Sequence, residues 1–492
     1  MKRPWLPIVL AAVIFASLSL WGAIASEGFL EADACTHYLY ARYAVGETHY
    51  LVNVWGRPFV TALYAIPATF FGRMGVRVTS LCCALLIATI AWRIARDLKF
   101  RWPALAFIFT LAQPLVFLHS FSELTELPFA LLLSLAFWCY VRRQWLLMTI
   151  LVAVLPTARP EGFGFIVLAA LALVAHRRWW WLVILPLPLL IWSYAGWVVF
   201  GRPGDVHWFL WLKHEWPYAA KSAYASGSIF QFVAALPAIV GPMAFPFFVI
   251  GLWRSFLPST RGTDIPVGAE SAAPTGMSVP PFSRLLIAAI PLMILVVHSL
   301  LYWLGRMASN GELRYMLIVA PFWALLAAEG WEWTFKRFKW RAPHLLAGVA
   351  AMLPIALHFY YPVLPLRLTL DSHKARAVAE WYRDPAVCTH YPRIMASNPE
   401  VALFMGISHT DRGWTREWVK QVVDKAPPGT VLVWDPDYGM FNADANRVIT
   451  LDEIRRAGWI EHPEIAEQFN DLGDGKEWHI FFSPVALFEK TN

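Results

Sequence analysis

Long apolar stretches recur along the first 361 residues of the chain and are separated by short polar segments. Several of them reach the roughly 20 residues that a helix needs to cross a bilayer. The pattern predicts helices over 5–25, 73–95, 102–119, 125–141, 145–158, 163–176, 179–200, 229–253, 285–304, 315–333 and 343–360. These segments predict an all-α polytopic membrane bundle of about 11 transmembrane helices.

Three segments of the chain do not fit this pattern. Residues 26–72 form a long first loop, in which 33–45 and 58–71 predict interfacial helices because polar residues interrupt them. Residues 254–284 are rich in proline and glycine and predict a flexible loop. Residues 362–492 predict strands at 393–397, 430–434 and 479–483 and helices at 371–383, 412–425 and 452–457. We therefore expect a membrane domain over 1–361 and a C-terminal extracytoplasmic α/β domain over 362–492.

The composition supports the membrane assignment. Hydrophobic residues make up 58% of the chain and charged residues only 15%, whereas soluble domains carry about 25% charged residues. This balance excludes an ordinary soluble enzyme, a disordered scaffold and a nucleic-acid-binding protein. Residues 1–361 carry 27 Lys and Arg against 15 Asp and Glu, and residues 362–492 carry 14 against 19. The two regions are therefore expected to lie in different environments.

Basic residues predict the orientation of the bundle. Seventeen of the 27 fall in alternate loops: Lys2, Arg3, Arg93, Arg96, Lys99, Arg101, Arg142, Arg143, Arg177, Arg178, Arg254, Arg261, Arg284, Lys336, Arg337, Lys339 and Arg341. Short loops with this bias stay in the cytoplasm. We expect a multi-pass protein of the inner membrane with a cytoplasmic N-terminus and a periplasmic C-terminus. A cleaved signal peptide is the alternative for the first stretch, but ten further stretches favour an uncleaved span.

The first outer loop carries a candidate general base. If a helix starts near Asp33, then His37 and Tyr40 follow on the same face at four and seven residues. A carboxylate there could take a proton from an acceptor hydroxyl. The alternative is that Asp33 caps the helix and Glu31 is solvated.

Further charged residues lie at the predicted outer ends of the spans. Charges this close to apolar spans are costly and usually face a cavity or one another. Each residue alone is as compatible with a structural ion pair as with a site, but together they predict a polar cavity at the outer face. Arginine suits phosphate there because its planar fork contacts two oxygens. The residues are Glu123, Glu126, Arg159, Glu161, Glu312 and Arg314.

Two further patterns in the sequence are weaker. Glu31 and Asp33 could contribute to a divalent metal site, but two carboxylates without further ligands indicate no particular ion. The sequence therefore indicates no metal and no cofactor. Cys35 and Cys388 both fall in segments predicted to lie outside, which leaves a disulfide between them as an open alternative.

The order of these features resembles the GT-C glycosyltransferases, polytopic enzymes that take sugars from polyprenyl-phosphate carriers. Asp33 followed by Tyr38, Tyr40, Ala41 and Arg42 is similar to the first-loop acidic motif of that family. The chain departs from many relatives because Ala34 follows Asp33, so that the second acid is Glu31. Three later segments also resemble the family: Ser122–Pro128, Thr157–Gly162, and Glu312–Tyr315 with Pro321.

The resemblance implies a hexosyl- or pentosyltransferase that works at the outer face by a single inverting displacement. Asp33, with Glu31 as the other catalytic candidate, would take the acceptor proton, while Arg314 and Arg159 would hold the leaving phosphate. The implied partners are a polyprenyl-phosphate-linked sugar, a lipid, glycan or protein acceptor, and membrane lipids. The other candidate substrate-binding residues are His37, Tyr40, Arg42, Glu123, Glu126, Glu161, Glu312 and Tyr315.

Two other classes of function stay open at this point. A transporter or flippase for a lipid-linked or polar substrate would place ionisable groups near the middle of the bilayer and would show repeated halves. The sequence shows no internal repeat, and its charges lie at one face. A membrane scaffold whose outer domain binds a partner would leave the charges at the outer ends unexplained.

The predicted orientation can be tested with reporters. Alkaline phosphatase fused after Asn492 should be active and a fluorescent protein fused there should be dark, because the C-terminus is expected outside. Fusions that end after Arg178 should behave in the opposite way. A C-terminal fusion that is active only in the cytoplasm would contradict the orientation.

Overall fold

The computed structural model describes residues 5–201, 207–216, 218, 226–257, 283–338, 364–396, 398–408, 426–437, 450–471 and 475–483. Within these residues, five helical segments are long and apolar enough to cross a membrane: Leu6–Ala25, Pro58–Asp97, Trp179–Phe200, Ser283–Trp303 and Leu313–Phe335. The helices predicted over 343–360 and 412–425, and most of the loop over 254–284, lie outside the described residues. The count of eleven spans stays a prediction.

The described residues of the membrane part fold mainly into helices. Helices of the first half are α1 Leu6–Ala25, α2 Ala32–Tyr43, α3 Pro58–Asp97, α4 Ala104–Leu111, α5 Pro114–His119, α6 Glu126–Val141, α7 Trp145–Ala158 and α8 Gly162–Ala175. Those that follow are α9 Leu187–Phe200, α10 Trp211–His214, α11 Gln231–Ala234, α12 Leu236–Val240, α13 Phe245–Ser255, α14 Ser283–Trp303 and α15 Ala320–Phe338. Four 3₁₀ turns lie at Thr48–Leu51, Trp179–Ile184, Trp208–Leu210 and Leu313–Val319.

Proline and glycine divide several of the predicted helices. The stretch 102–119 becomes α4 and α5, because Pro114 cannot continue the helix before it. The stretch 229–253 becomes α11, α12 and α13, with Gly241 at a φ of 92° between the last two. The interfacial helix predicted over 58–71 runs directly into the span that follows it, and the two meet at Gly72, whose φ of 60° few other residues adopt.

A buried ion-pair cluster fixes the chain where α1 leads into α2. Glu123 is fully buried and accepts a hydrogen bond from Arg77 Nε at 2.9 Å, with Arg73 Nε at 3.4 Å. Arg77 also donates to three backbone carbonyls of residues 23–28 at 2.7–2.9 Å, and Arg73 donates to two at 2.7 Å. These bonds hold the loop just ahead of Glu31 and Asp33.

The described C-terminal residues form a small four-stranded sheet with short helices, as the predicted strands indicate, and the domain bounds stay a prediction. This sheet and its helices are called the α/β domain below. Its strands are β1 Arg393–Ala396, β2 Thr430–Trp434, β3 Ile460–Glu461 and β4 His479–Phe482, in the sheet order β1-β2-β4-β3. The β1–β2 pair is parallel and the other two pairs are antiparallel. Its described helices are α16 Leu370–Tyr382, α17 Pro385–Cys388, α18 Pro399–Met405, α19 Leu451–Arg456 and α20 Pro463–Asn470.

The α/β domain is tied to the loop that precedes α2. Gly28 N donates to the Leu366 carbonyl at 3.1 Å, and Leu366 N donates to Ser26 Oγ at 2.9 Å. A Cβ at Gly28 would lie 2.1 Å from the Arg367 carbonyl oxygen, so this contact requires glycine. Helix α18 also packs against α2. The domain therefore helps to position the helix that carries Asp33.

No disulfide joins Cys35 to Cys388. Cys35 lies on the buried face of α2 within the hydrophobic core, whereas Cys388 ends the short helix α17 in the α/β domain. The alternative of a Cys35–Cys388 disulfide, left open by the sequence, is therefore wrong.

Candidate functional site

Helix α2 brings two carboxylates to one end of the bundle. Glu31 is the N-cap of α2 and Asp33 lies in its first turn, and no side chain caps the helix. Both carboxylates instead face Arg314: Asp33 Oδ2 accepts from Nη2 at 2.7 Å, and Glu31 Oε2 lies 2.9 Å from Nη1. The alternative in which Asp33 caps the helix and Glu31 is solvated is therefore not what the structure shows.

Arg314 is the centre of this cluster. It belongs to the 3₁₀ turn that precedes α15, and its side chain is buried. Its third nitrogen, Nε, donates to Glu312 and lies 3.7 Å from Glu126 Oε1. Each nitrogen of the guanidinium therefore faces a carboxylate, and four carboxylates surround one buried cation.

A second arginine extends the cluster across the bundle. Arg159 lies in extended backbone between α7 and α8 and donates to Thr125 Oγ1 at 2.9 Å and to Glu161 Oε1 at 2.8 Å. It also donates to Glu126, which is fully buried. Glu126 therefore bridges Arg159 and Arg314 and joins α6 to both.

An aromatic pair borders the charged cluster. The Tyr315 ring stacks on His298 of α14 with 4.8 Å between centroids, and its hydroxyl donates to Asn310 Oδ1 at 2.6 Å. His298 Nε2 lies 3.5 Å from Glu161 Oε1. His298 and Asn310 were not predicted: the histidine sits alone in an apolar stretch, and only its place near the end of α14 that was predicted to face outward could have indicated it.

Arg57 is a third buried cation that sequence reasoning missed. It precedes α3 in the left-handed conformation, with a φ of 63°, donates to the Val54 carbonyl at 2.9 Å and lies over the Tyr218 ring at 5.1 Å. It forms no ion pair with a carboxylate of the described residues, although Asp33 and Glu126 lie within electrostatic range. Burial lowers the pKa of Arg57 to about 10, so it stays cationic at neutral pH. The sequence signal that could have indicated Arg57 is a basic residue in a predicted outer loop, contrary to the bias of basic residues towards inner loops.

The other predicted residues lie at different distances from this cluster. His37 is buried near Asp33 and stacks on Trp55 at 4.6 Å, and burial lowers its pKa to about 3, which leaves it neutral. Tyr40 packs in an aromatic group that includes Trp55. Arg42 is exposed at the far end of α2, and Glu123 belongs to the cluster with Arg73 and Arg77 described above.

The cluster carries more acid than base, with five carboxylates against Arg57, Arg159 and Arg314. Burial and the neighbouring carboxylates raise the pKa of Glu31 to about 8 despite the contact with Arg314, and burial also raises the pKa of Glu312. Burial opposes ionisation of Glu161 as well, but Arg159 and His298 outweigh it and hold its pKa well below the usual range. Within the described part of the chain, no group of three or more His, Cys, Asp or Glu side chains is placed to hold a metal ion.

Comparison with solved structures identifies the fold. The chain is similar to ArnT from Cupriavidus metallidurans bound to undecaprenyl phosphate, with a TM-score of 0.56, 13% identity and coverage of 89% of this chain and 94% of that one. It is also similar to the apo state of that protein, with a TM-score of 0.55, 14% identity and coverage of 86% and 93%. No family model and no curated protein matches the sequence. The chain therefore has the fold of that protein, and five of its described helical segments are long and apolar enough to cross a membrane.

The raised pKa of Glu31 predicts a pH-dependent stability. Between pH 4.5 and about 8 the folded protein holds a proton on Glu31 that the unfolded chain releases, so this group's contribution to stability falls as pH rises. Glu31→Gln removes the ionisable group and therefore removes this loss of stability at high pH. The melting temperature of the variant relative to wild type should therefore be higher at pH 8.5 than at pH 5.5.

Glu27→Gln is the matched control, because Glu27 is an exposed acid of the same loop and is not one of the carboxylates that face Arg314. If Glu31→Gln instead loses more stability at pH 8.5 than at pH 5.5, Glu31 acts as an ionised partner of Arg314 and the prediction is wrong.

Proposed function

We propose that this protein is a membrane glycosyltransferase that moves a sugar from a polyprenyl-phosphate carrier to an acceptor at the outer face of the membrane. One observation supports this most strongly: Asp33 and three buried arginines gather at one end of the helices in a fold similar to a protein bound to undecaprenyl phosphate. A carboxylate beside cations suits a reaction that removes a proton from one group and releases a phosphate from another.

Asp33 is the best candidate for the general base. Its side chain is 43% exposed, against 32% for Glu31 and 26% for Glu312, so an acceptor hydroxyl reaches it most readily. Glu126 is fully buried and already bridges two arginines. The Arg314 contact at 2.7 Å fixes the direction of the Asp33 carboxylate, which is the orientation that proton transfer requires.

The proposed reaction is a single displacement at the anomeric carbon. The acceptor oxygen forms the new bond to that carbon while its proton passes to Asp33. The bond between the carbon and the phosphate oxygen breaks, and the polyprenyl phosphate leaves with the electron pair. Attack opposite the leaving group inverts the configuration. Phosphate is a fair leaving group, so a nearby cation is sufficient to stabilise it.

Arg57 is the best candidate for the cation that holds this phosphate. The sequence assigned that role to Arg314 and Arg159, but carboxylates occupy three of the five N–H directions of Arg314, and Glu126 and Glu161 hold Arg159. Arg57 has no such partner among the described residues and spends one N–H on a backbone carbonyl. We therefore propose that Arg314 orients Asp33 and that Arg57 contacts the phosphate.

The test uses purified protein in lipid nanodiscs and a panel of polyprenyl-phosphate-linked hexoses and pentoses. Release of polyprenyl phosphate, in the presence of envelope lipids and glycans as acceptors, reports transfer. Asp33→Asn should lower transfer by about 100-fold or more, because the amide cannot accept the proton, while leaving polyprenyl-phosphate binding unchanged. Arg57→Ala should weaken that binding.

Glu27→Gln, in the exposed part of the same loop, should leave both measurements at the wild-type level. Near-normal transfer by Asp33→Asn would rule out Asp33 as the general base and would make Glu31 the candidate for that role. Wild-type protein that binds polyprenyl phosphate but moves the lipid across the bilayer without releasing sugar would be a flippase, and the enzyme assignment would then fail.

A further inference from the structure

Three helices of the membrane part end in the same backbone motif. After α3, α6 and α8 the chain turns through a residue in the left-handed conformation, and these residues are Lys99, Arg143 and Arg177, with φ of 58°, 57° and 56°. In each case the next residue donates its N–H to a carbonyl five residues earlier, at 2.7–2.9 Å. This is the helix-ending motif in which glycine usually occupies the left-handed position.

Elsewhere in the described chain the same motif does use glycine. It follows α14 at Gly305, α18 at Gly406 and α19 at Gly458, with φ of 57°, 72° and 85° and the same hydrogen bond over five residues. A side chain in this conformation is unfavourable. Three basic side chains are therefore kept at positions where the backbone alone would favour glycine.

These three helix ends form one continuous surface. Trp138 near the end of α6 donates its indole N–H to Asp97 Oδ2 of α3 at 2.9 Å. Tyr140 of α6 packs edge-on against His176 at the end of α8, with ring centroids 5.9 Å apart. The surface lies at the opposite end of the bundle from the candidate site, because α6 starts at Glu126 and its 16 residues span about 24 Å.

Arginine and tryptophan side chains alternate on this surface. Arg93 and Arg96 lie over the Trp92 ring at 5.0 and 5.4 Å, and Arg142 lies over Trp138 at 5.5 Å. Near the end of α8, Arg178 lies over the exposed Trp180 ring at 5.5 Å. Around the candidate site, by contrast, the stacked cations lie over Tyr or Phe rings.

The charge of this surface is one-sided. Six of its basic residues form no ion pair with a carboxylate of the described residues: Arg93, Arg96, Lys99, Arg142, Arg177 and Arg178. Two carboxylates lie nearby: Asp97 accepts the Trp138 indole N–H, and Glu332 accepts from the Trp102 backbone N–H. Tryptophan prefers the depth of the lipid headgroups, and arginine and lysine attract their phosphates.

We propose that the surface formed by Lys99, Arg143, Arg177 and the flanking arginine–tryptophan pairs is a binding site for the phosphate headgroups of anionic phospholipids, at the face opposite the candidate active site. The chemistry fits a phosphodiester at the membrane surface, where cations meet the phosphate and indole rings pack beside the glycerol. A basic residue near a helix C-terminus also interacts well with the helix dipole, but this effect does not require the left-handed position. The positive-inside bias requires neither that position nor the stacked tryptophans.

The test is a triple variant, Lys99→Gly, Arg143→Gly and Arg177→Gly, studied as purified full-length protein. Glycine removes the charge and relieves the left-handed backbone, so thermal stability in neutral detergent should equal or exceed that of wild type. Native mass spectrometry with added phosphatidylglycerol should show binding about fivefold weaker for each lost cation and roughly 100-fold weaker for the three. Binding of phosphatidylcholine should not change.

The matched control is Lys213→Ala, Arg393→Ala and Arg456→Ala, which removes three exposed charges elsewhere and should keep wild-type affinity for phosphatidylglycerol. The proposal is overturned if the glycine variant keeps wild-type affinity, or if the control loses as much. It is also overturned if glycerol phosphate competes as well as the lipid, which would indicate a free-anion site. A glycine variant less stable than wild type in neutral detergent would show that these side chains serve the fold instead.

Discussion

The architecture of the candidate site depends on one buried guanidinium. A buried arginine is tolerated only when its charge is paired and its N–H groups are satisfied. Arg314 meets this requirement through carboxylates from three parts of the chain: the start of α2, the start of α6 and its own turn. Because these elements are far apart in sequence, pairing Arg314 also fixes where α2 and α6 lie relative to α15. The excess of carboxylates around Arg314 makes it unfavourable to ionise all of them, and the raised pKa of Glu31 reflects this.

Other contacts at the same end of the bundle hold α2 in the position that this ion-pair cluster requires. Arg73 and Arg77, which pair with Glu123, donate to backbone carbonyls of the loop between α1 and α2. The same loop carries the hydrogen bonds to Leu366. The α/β domain thus contacts the same few residues that lead into Asp33. Two separate sets of contacts therefore position one short helix, which is a reason for the domain to be attached to the membrane part at all.

Sequence patterns predicted the elements of this structure better than their contacts. Apolar stretches gave most of the helix bounds, and alternating basic loops placed Asp33, Glu126, Arg159 and Arg314 at one end of the bundle. Sequence could not show that Glu123 belongs to a separate ion-pair cluster, because its neighbour Glu126 has the same local context. Arg57 was missed because its importance comes from being buried without a carboxylate partner among the described residues. Both properties depend on tertiary packing. The left-handed positions at the helix ends, Lys99, Arg143 and Arg177, were missed because this motif is normally recognised in a sequence by its glycine, and here basic residues occupy that place.

The central claim is that Arg314 orients the general base and does not hold the donor phosphate. The most direct test is steady-state kinetics of Arg314→Lys in nanodiscs with a polyprenyl-phosphate-linked sugar. Lysine keeps the charge but cannot face three carboxylates with a planar fork. The account predicts a kcat reduced by about 10-fold or more with the donor KM nearly unchanged, because orientation of Asp33 matters only in the transition state. A raised donor KM with an unchanged kcat would show that Arg314 holds the phosphate and would contradict the account.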